Sequence, residues 1–381
     1  MRLAQYGYSV LCVDRAIFPR DTISTHYIRQ VGLAKLRDWG LLEALKATKC
    51  TPIRRITISY DDMLFSGFSD PILGITETYA PRRIVLDQVL QDGARSAGAE
   101  IREGFTVTGL VRSDGRVAGV IGQDREGAVV TERARIVIGA DGSSSAVAGL
   151  VGAEAYNVVP ASSFIYYSYW RDVQVNCQSR IGHQQMVGGW PTNNAQTLVW
   201  AMLRRERFTE FRADIERNFH AALRQTAPDL AKAVESGTRA EKFYGARYPD
   251  NFYRVSHGPG WALVGDAGYH KDPFTGLGIS DAFIYADLLA ERVHEGMSGM
   301  RALTDALASY QQARDAESKP LYDFTCAAST LVLPPDYVKA LRALPSSPDH
   351  ARQWFRMMGG GLSGREFFAA ENMRSLMDAA A

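Results

Sequence analysis

Apolar residues recur along this chain with two periods that alternate, one suited to strands and one to helices. Gln5-Tyr6-Gly7 reads as the end of a helix, and Tyr8 to Val13 as an apolar strand closing on Asp14. Val31 to Leu45 has helical spacing around a break at Trp39-Gly40. Pro52 to Tyr60 and Ile75 to Ala80 predict strands. Gly104 to Val111 and Val117 to Gln123 predict a hairpin joined by the turn Ser113-Asp114-Gly115. From Ala161 to Arg205 the pattern is β-rich and aromatic, with strands at Phe164 to Trp170 and Thr197 to Leu203. Gly188-Gly189-Trp190-Pro191 reads as a turn between them, and Phe208 to Glu235 as one amphipathic helical stretch. Beyond about residue 319 the chain reads as helical, with loops at Pro334-Pro335 and Gly359-Gly360-Gly361. No internal repeat is visible.

Three segments carry chemistry. Trp261 to Val264 is an apolar strand ending in Gly265-Asp266. A loop with Pro273, Gly276, Leu277 and Gly278 follows, and then a helix from about Ile279. This order places a carboxylate at a strand end and glycines at a helix N-terminus, where free N–H groups and the positive dipole end suit an anionic cofactor. Arg135 to Val147 repeats the device. Ile136 to Ile138 feeds Asp141-Gly142, and the serines Ser143 to Ser145 can cap the next helix. Tyr79 to Ile101 sends Arg83 into an amphipathic helix, with Leu86, Val89, Leu90 and Ala94 on one stripe.

In order and spacing, these segments resemble the flavin-binding signatures of the FAD-dependent aromatic hydroxylase family, which has the para-hydroxybenzoate hydroxylase-like fold. They are similar also to the related geranylgeranyl reductases and flavin-dependent halogenases, over about residues 1 to 318. The resemblance implies that the R-x-x-L-D element, Arg83 to Asp87, contacts flavin phosphates or the ribityl chain. Asp141-Gly142 would lie where FAD and the nicotinamide cofactor approach. Gly265-Asp266 would hold the ribityl and ribose region, with Pro273 and the turn through Gly278 against the isoalloxazine ring. Many family members have His where this chain has Tyr269, and here His270 is next door, which leaves open which of the two side chains faces the flavin. The loop after Phe18-Pro19-Arg20 passes the ring in the relatives, which makes Ser24, Thr25 and His26 candidates for the catalytic chamber. His26 would relay a proton near neutral pH; alternatively Ser24 and Thr25 cap a helix starting near His26. The reductases' cysteine in this loop and the halogenases' W-x-W-x-x-I-P run are both absent.

Asp14, with Arg15 beside it, sits where the second strand of a Rossmann unit presents its ribose-binding carboxylate. The G-x-G-x-x-G turn belongs about 20 residues earlier, before Met1. The match at Gly359 to Gly364 follows a helix-like run rather than a strand and reads as a flexible loop. The expectation is therefore an in-frame upstream extension of roughly 15–25 residues carrying the first strand and its turn. The other reading makes Tyr8 to Asp14 the first strand of an unrelated sheet.

Composition adds bounds. The 381 residues carry 43 basic and 42 acidic side chains, a net charge of +1, which argues against a nucleic-acid surface. Hydrophobic residues make up 46%, as in a soluble globular protein, and no apolar run nears membrane-spanning length. The four cysteines show no C-x-x-C spacing, so reduced thiols, a cytoplasmic location and no metal are expected, with Cys12 inside an apolar strand.

The expected fold is α/β. A Rossmann-like FAD-binding domain lacking its first strand comprises residues 1–50, 79–150 and 255–318. A β-sheet substrate domain is inserted at 51–78 and 151–254, and a helical C-terminal region occupies 319–381. Alternation in Phe164 to Trp170 puts Tyr167 and Tyr169 on one face, facing a helix or an apolar substrate pocket with Trp190 nearby. The expected activity is that of an NAD(P)H-dependent FAD monooxygenase hydroxylating a small apolar or aromatic molecule. The alternatives are a flavin-dependent C=C reductase and a flavin-free fragment.

Overall fold

Successive side chains of Ser163–Arg171 (β10) face two different layers, and that alternation organises half the molecule. In the computed structural model, which describes residues 1–379, Phe164, Tyr166 and Trp170 pack on three helices, Phe208–Ala213 (α6), Ile215–Thr226 (α7) and Pro228–Ser236 (α8). Ile165, Tyr167 and Tyr169 face the other way. The single helical stretch expected over Phe208 to Glu235 is thus three helices. Asp214 ends the first and caps the second by accepting from the Arg217 N–H at 3.1 Å. Pro228 opens the third, where a missing N–H leaves nothing unpaired.

β10 belongs to an eight-stranded sheet in the order Thr238–Arg239 (β14), β10, Thr197–Arg204 (β13), Gln185–Pro191 (β12), Cys177–Gly182 (β11), Ile56–Tyr60 (β2) and Met63–Gly67 (β3), with Tyr244–Arg247 (β15) also paired to β10. Gly188 to Pro191, expected as a turn, lies inside β12. The glycine is there for packing: a Cβ on Gly188 would stand 2.5 Å from Cζ2 of Trp200 on the neighbouring strand. The turn between β12 and β13 falls instead at Asn193–Ala195. The strand expected at Ile75 to Ala80 is extended chain held by isolated bridges to Ile53, Ile28 and Ile72.

The other half uses smaller sheets. Leu11–Asp14 (β1) runs parallel to Glu100–Glu103 (β4), and Val137–Gly139 (β8) parallel to Trp261–Leu263 (β18), which also pairs with His257–Gly258 (β17). Thr106–Ser113 (β5), Arg116–Gln123 (β6) and Val129–Arg133 (β7) form a meander. Ala155–Val159 (β9), Asn251–Arg254 (β16) and Tyr269–His270 (β19) form a third small sheet. Cys12 lies on β1 but is exposed, whereas the other three cysteines are buried, and all four are free.

The helix Gly278–Met297 (α9) ties these pieces together. Its buried Asp287 accepts from Arg2 Nε at 2.7 Å, on Arg2–Gln5 (α1), and from Lys35 Nζ at 2.6 Å, on Gln30–Asp38 (α2). It also accepts from Trp39 Nε1 at 3.2 Å. Burial alone would raise the pKa of this carboxyl, but the hydrogen bonds from Lys35, Arg2 and Trp39 outweigh it and hold the group below its usual range. Leu42–Ala47 (α3) and Arg83–Ser96 (α4) pack beside α2, and Ala146–Val151 (α5) follows β8.

The C-terminal region is not a separate tail. Leu303–Ala328 (α10) runs through the expected boundary at 318/319 with Pro320 inside it. Pro335 opens Pro335–Ala343 (α11) rather than lying in a loop. Pro348–Gly359 (α12), Gly364–Phe367 (α13) and Ala370–Ala379 (α14) complete a cluster that packs Trp354 and Phe355 on Met63 and Phe65 of β3. The glycine run, expected to be flexible, is a packed contact. A Cβ would stand 2.5 Å from Gln30 Oε1 at Gly359, 2.4 Å from Val31 Cγ1 at Gly360 and 2.8 Å from Ile72 Cγ1 at Gly361.

Two glycines with similar backbone test this contact. Gly127 has φ of +82° and open space around it, whereas Gly360 has φ of +92° against Val31. Gly127→Ala is expected to cost about 1–2 kcal/mol from the left-handed conformation alone. Gly360→Ala is expected to cost at least about 1 kcal/mol more, through overlap with Val31. Urea unfolding of both variants measures the difference, and equal losses would show that the glycine run is not packed.

Candidate active site

Two turns far apart in sequence emerge together. β8 and β18 are parallel with Gly139 opposite Leu263, so Asp141-Gly142 and Gly265-Asp266 leave the same end of adjacent strands. Arg254 on β16 clamps them, donating from Nη1 to the Ala267 carbonyl at 2.9 Å and from Nη2 to the Ser143 carbonyl at 3.1 Å. Burial lowers the pKa of this guanidinium and Asp141 counters the shift. Sequence reasoning missed Arg254, because nothing local marks a strand arginine whose acceptors lie in two other segments. Asp141 accepts from Ser145 Oγ at 2.5 Å and from Val147 N at 3.1 Å, and Ser145 caps α5 by accepting from Ala148 N at 2.9 Å. Asp14 closes β1 and accepts from Ala16 N at 2.7 Å, and Arg15 beside it is exposed. Asp266 is nearly half exposed, 3.1 Å from His270 Nδ1.

Of the two neighbours Tyr269 and His270, it is therefore His270 that stands beside Asp266, and its Nε2 is buried without a partner among the described residues. Tyr269 is turned into the core, stacked on Tyr253 at 4.8 Å. Pro273–Thr275 forms a tight turn, Gly276 takes φ of +65°, Leu277 is buried, and Gly278 opens α9 exposed to solvent. No side chain caps the N-terminus of this 20-residue helix. Behind it, Asp281 accepts from Arg29 at 2.6 Å and from Lys271, all three buried. Asp272 accepts from Ser163 Oγ at 2.7 Å and from Phe274 N at 3.0 Å, and burial pushes its carboxyl up to about 6.

Built side-chain atoms test whether a flavin fits here. A Cβ at Gly142 or Gly278 meets nothing within 4 Å, and one at Gly265 meets only Ala282, at 4.0 Å. Open space beside three turn glycines, an exposed carboxylate and an uncapped helix start fits the ring and ribityl half of FAD. The one G-x-G-x-x-G match among the described residues links α12 to α13 in the C-terminal cluster.

Next to the turn lies a cavity of about 110 Å³. One wall is the sheet, with Ile165, Tyr167, Met186, Trp190, Trp200 and Met202. The second is Pro273 to Gly276, and the third is the C-terminal cluster, with Phe324, Leu341, Trp354, Phe355 and Met358. Ser24, Thr25 and Tyr27 also line it, and no charged side chain does. Of the expected substrate residues, Tyr167 and Trp190 are on the wall and Tyr169 is not. The C-terminal wall went unforeseen because its contacts with β2 and β3 span nearly 300 positions.

Between Thr25 and Tyr27 the His26 side chain turns away from the cavity. It has φ of +65° and is fully buried. Its Nδ1 lies 2.7 Å from the Ser24 carbonyl, which only accepts, so Nδ1 carries the proton and Nε2 accepts from Tyr169 Oη at 2.7 Å. Burial lowers its pKa to about 4, so the ring is neutral at pH 7. No helix starts near His26. Ser24 Oγ accepts from the His26 N–H at 3.1 Å in a local turn, and α2 begins at Gln30. Arg83 pairs with Asp87 at 2.7 Å. Its neighbour Arg82, not singled out from sequence, lies over the Tyr169 ring at 4.2 Å and pairs with Asp21 and Glu241.

The family model described as an FAD binding domain matches residues 1–325. The chain is 25% identical over 320 residues to a digeranylgeranylglycerophospholipid reductase of Methanocella arvoryzae, covering 81% of this chain and 78% of that protein. It is 24% identical over 352 residues to the 3-demethoxyubiquinol 3-hydroxylase of Escherichia coli, covering 84% and 81%. The fold superposes on a flavoprotein/dehydrogenase of Cytophaga hutchinsonii with a TM-score of 0.84 at 17% identity, covering 100% of this chain and 94% of that one. A match of this length, on a chain whose strand-end turns leave room for a flavin, places the protein in the FAD binding domain family of FAD-dependent oxidoreductases.

Proposed function

We propose that the chain is an NAD(P)H-dependent FAD monooxygenase that hydroxylates a small, largely apolar or aromatic molecule held in the cavity. The observation that carries this reading is the shared turn: Pro273 to Gly276 forms one cavity wall and leads directly into the open N-terminus of α9. In this reading Asp14, Arg15, Arg83, Asp141, Gly142, Gly265 and Asp266 hold the nucleotide and ribityl parts. Pro273, Gly276, Leu277 and Gly278 meet the ring. FAD, when bound, supplies the two-electron redox chemistry. The α9 N–H groups stabilise negative charge next to them. Tyr167 and Trp190 hold the substrate, and the uncharged walls exclude water. His26 is a positioning residue that fixes Tyr169 behind Tyr167.

A C=C reductase is the second reading, supported by the wholly uncharged cavity and the similarity to a digeranylgeranylglycerophospholipid reductase. Anaerobic reduction followed by oxygen separates the two, since only the monooxygenase returns oxygenated product. The free cysteines, and the lack of any helix among the described residues long and apolar enough to cross a membrane, support a cytoplasmic location.

Asp266→Ala is expected to weaken FAD binding about 10- to 100-fold, as a hydrogen bond to a charged group is worth about 1.5–3 kcal/mol. Flavin fluorescence titration reads the dissociation constant, and a value equal to that of the unaltered chain would sink the assignment.

Two buried groups give opposite pH dependences. The His26 pKa falls from 6.5 to about 4 on folding, so its contribution rises with pH between those values and is complete above 6.5. The Asp272 pKa rises from 3.8 to about 6, so the folded state binds the extra proton and stability falls as pH climbs through that window. Each is worth a few kcal/mol, at about 1.4 kcal/mol per pH unit, and the two act in opposite directions. His26→Gln should therefore unmask a loss of stability between pH 4 and 6, and Asp272→Asn a gain. Urea unfolding across that range checks both, and slopes of the same sign in the two variants would refute the opposition.

A further inference from the structure

A recess of about 550 Å³ lies where β10 starts and where β13 and β15 end. It shares no lining residue with the apolar cavity. The strand register sets Arg204 opposite Ser163 and Arg247 opposite Phe164, on the two sides of β10. Neighbouring strands stand about 4.8 Å apart, so these two strand ends are separated by about 10 Å. Arg204, Arg205 and Arg247 line the recess with a single carboxylate, Glu206, which is taken up by Arg204 Nε at 2.5 Å. Arg205 Nη1 donates to the Tyr248 carbonyl at 3.0 Å, which fixes the guanidinium without neutralising it. Arg247 lies over the Phe208 ring at 5.1 Å, and Arg212 of α6 over the same ring at 5.5 Å. Asp250, close by in sequence, accepts from the Ala161 N–H at 3.0 Å instead. Among the described residues, neither Arg205 nor Arg247 has a carboxylate partner.

We infer that this recess is a second ligand site, which takes a phosphate or pyrophosphate group of a small molecule through Arg205 and Arg247. Cations gathered in one hollow repel one another until an anion joins them. A guanidinium offers a rigid fork of N–H donors that matches phosphate oxygens in pairs. Ser162 and Thr209 add hydroxyls to the lining. The volume falls within the range of small-molecule sites, about 300–1,000 Å³. The inference is independent of the flavin assignment, because none of these residues belongs to the strand-end turns.

The test is calorimetric titration of the full 381-residue chain with inorganic pyrophosphate at constant ionic strength, with flavin content read by absorbance in the same samples. The unaltered chain is expected to bind pyrophosphate saturably. Arg205→Gln/Arg247→Gln is expected to weaken that binding at least tenfold. Arg133→Gln, which removes an exposed charge from β7, is expected to change it less than twofold. Should the double variant fail to fold, Arg247→Gln alone carries the test with a threefold loss, since this side chain is exposed. No saturable binding, a smaller loss than stated, or an equal loss in Arg133→Gln overturns the inference, because the anion then binds elsewhere or only to the overall charge. The phosphate may be carried by a nucleotide or by another small molecule, and NADPH separates the two. Competition between NADPH and pyrophosphate that vanishes in the double variant assigns a nucleotide. An unchanged pyrophosphate titration in the presence of NADPH assigns a phosphate of another source. Colourless samples that still bind pyrophosphate through these arginines leave this inference standing and count against the flavin reading.

Discussion

A carboxylate in the first turn of a long helix, shut away from water, has to be matched by cations. Asp281 is matched by Arg29 from the segment before α2 and by Lys271 immediately after β19. Removing one partner of a buried pair typically costs about 3–5 kcal/mol, so the three segments are held in a fixed relation. That relation sets where α9 begins, and with it where Gly276 and Gly278 face. Asp287, two turns later, fixes the same helix to α1 and α2. The helix start, the strand-end turns and one side of the cavity all depend on this anchoring.

What could be read from sequence was local. Asp141-Gly142, Gly265-Asp266 and the turn through Gly278 each announce themselves within a dozen residues, as a strand, a tight turn and a helix start. Arg254 and Arg82 carry no such mark. Their acceptors lie in other segments, so only the folded chain reveals them. Gly188 to Pro191 was misread for a related reason: two glycines ahead of a Trp-Pro pair look like a turn, but one of them makes room for Trp200 on the adjacent strand. Gly359 to Gly361 repeat the lesson, as their lack of side chains serves contact with α2 and Ile72 rather than freedom.

Charge is kept close to the cavity but off its wall. Asp21, Arg82 and Glu241 form a paired cluster, and Tyr169 with His26 stands between that cluster and Tyr167. Neutral His26 serves this arrangement better than a protonated one, because an imidazolium would bring a third cation near Arg82 and Arg83. The result is a chamber with polar support behind it and no ionic group within it.

α10 has a mechanical consequence. Tyr310, near its start, donates to the Leu263 carbonyl at the end of β18, and Phe324, near its other end, lines the cavity. Fourteen residues of helix make a strut about 21 Å long between these points. Outward movement of the C-terminal wall to admit a bulkier guest would therefore pull at the strand that delivers Gly265 and Asp266. The cavity wall at Phe324 and the turn at Gly265-Asp266 are thus two ends of one lever.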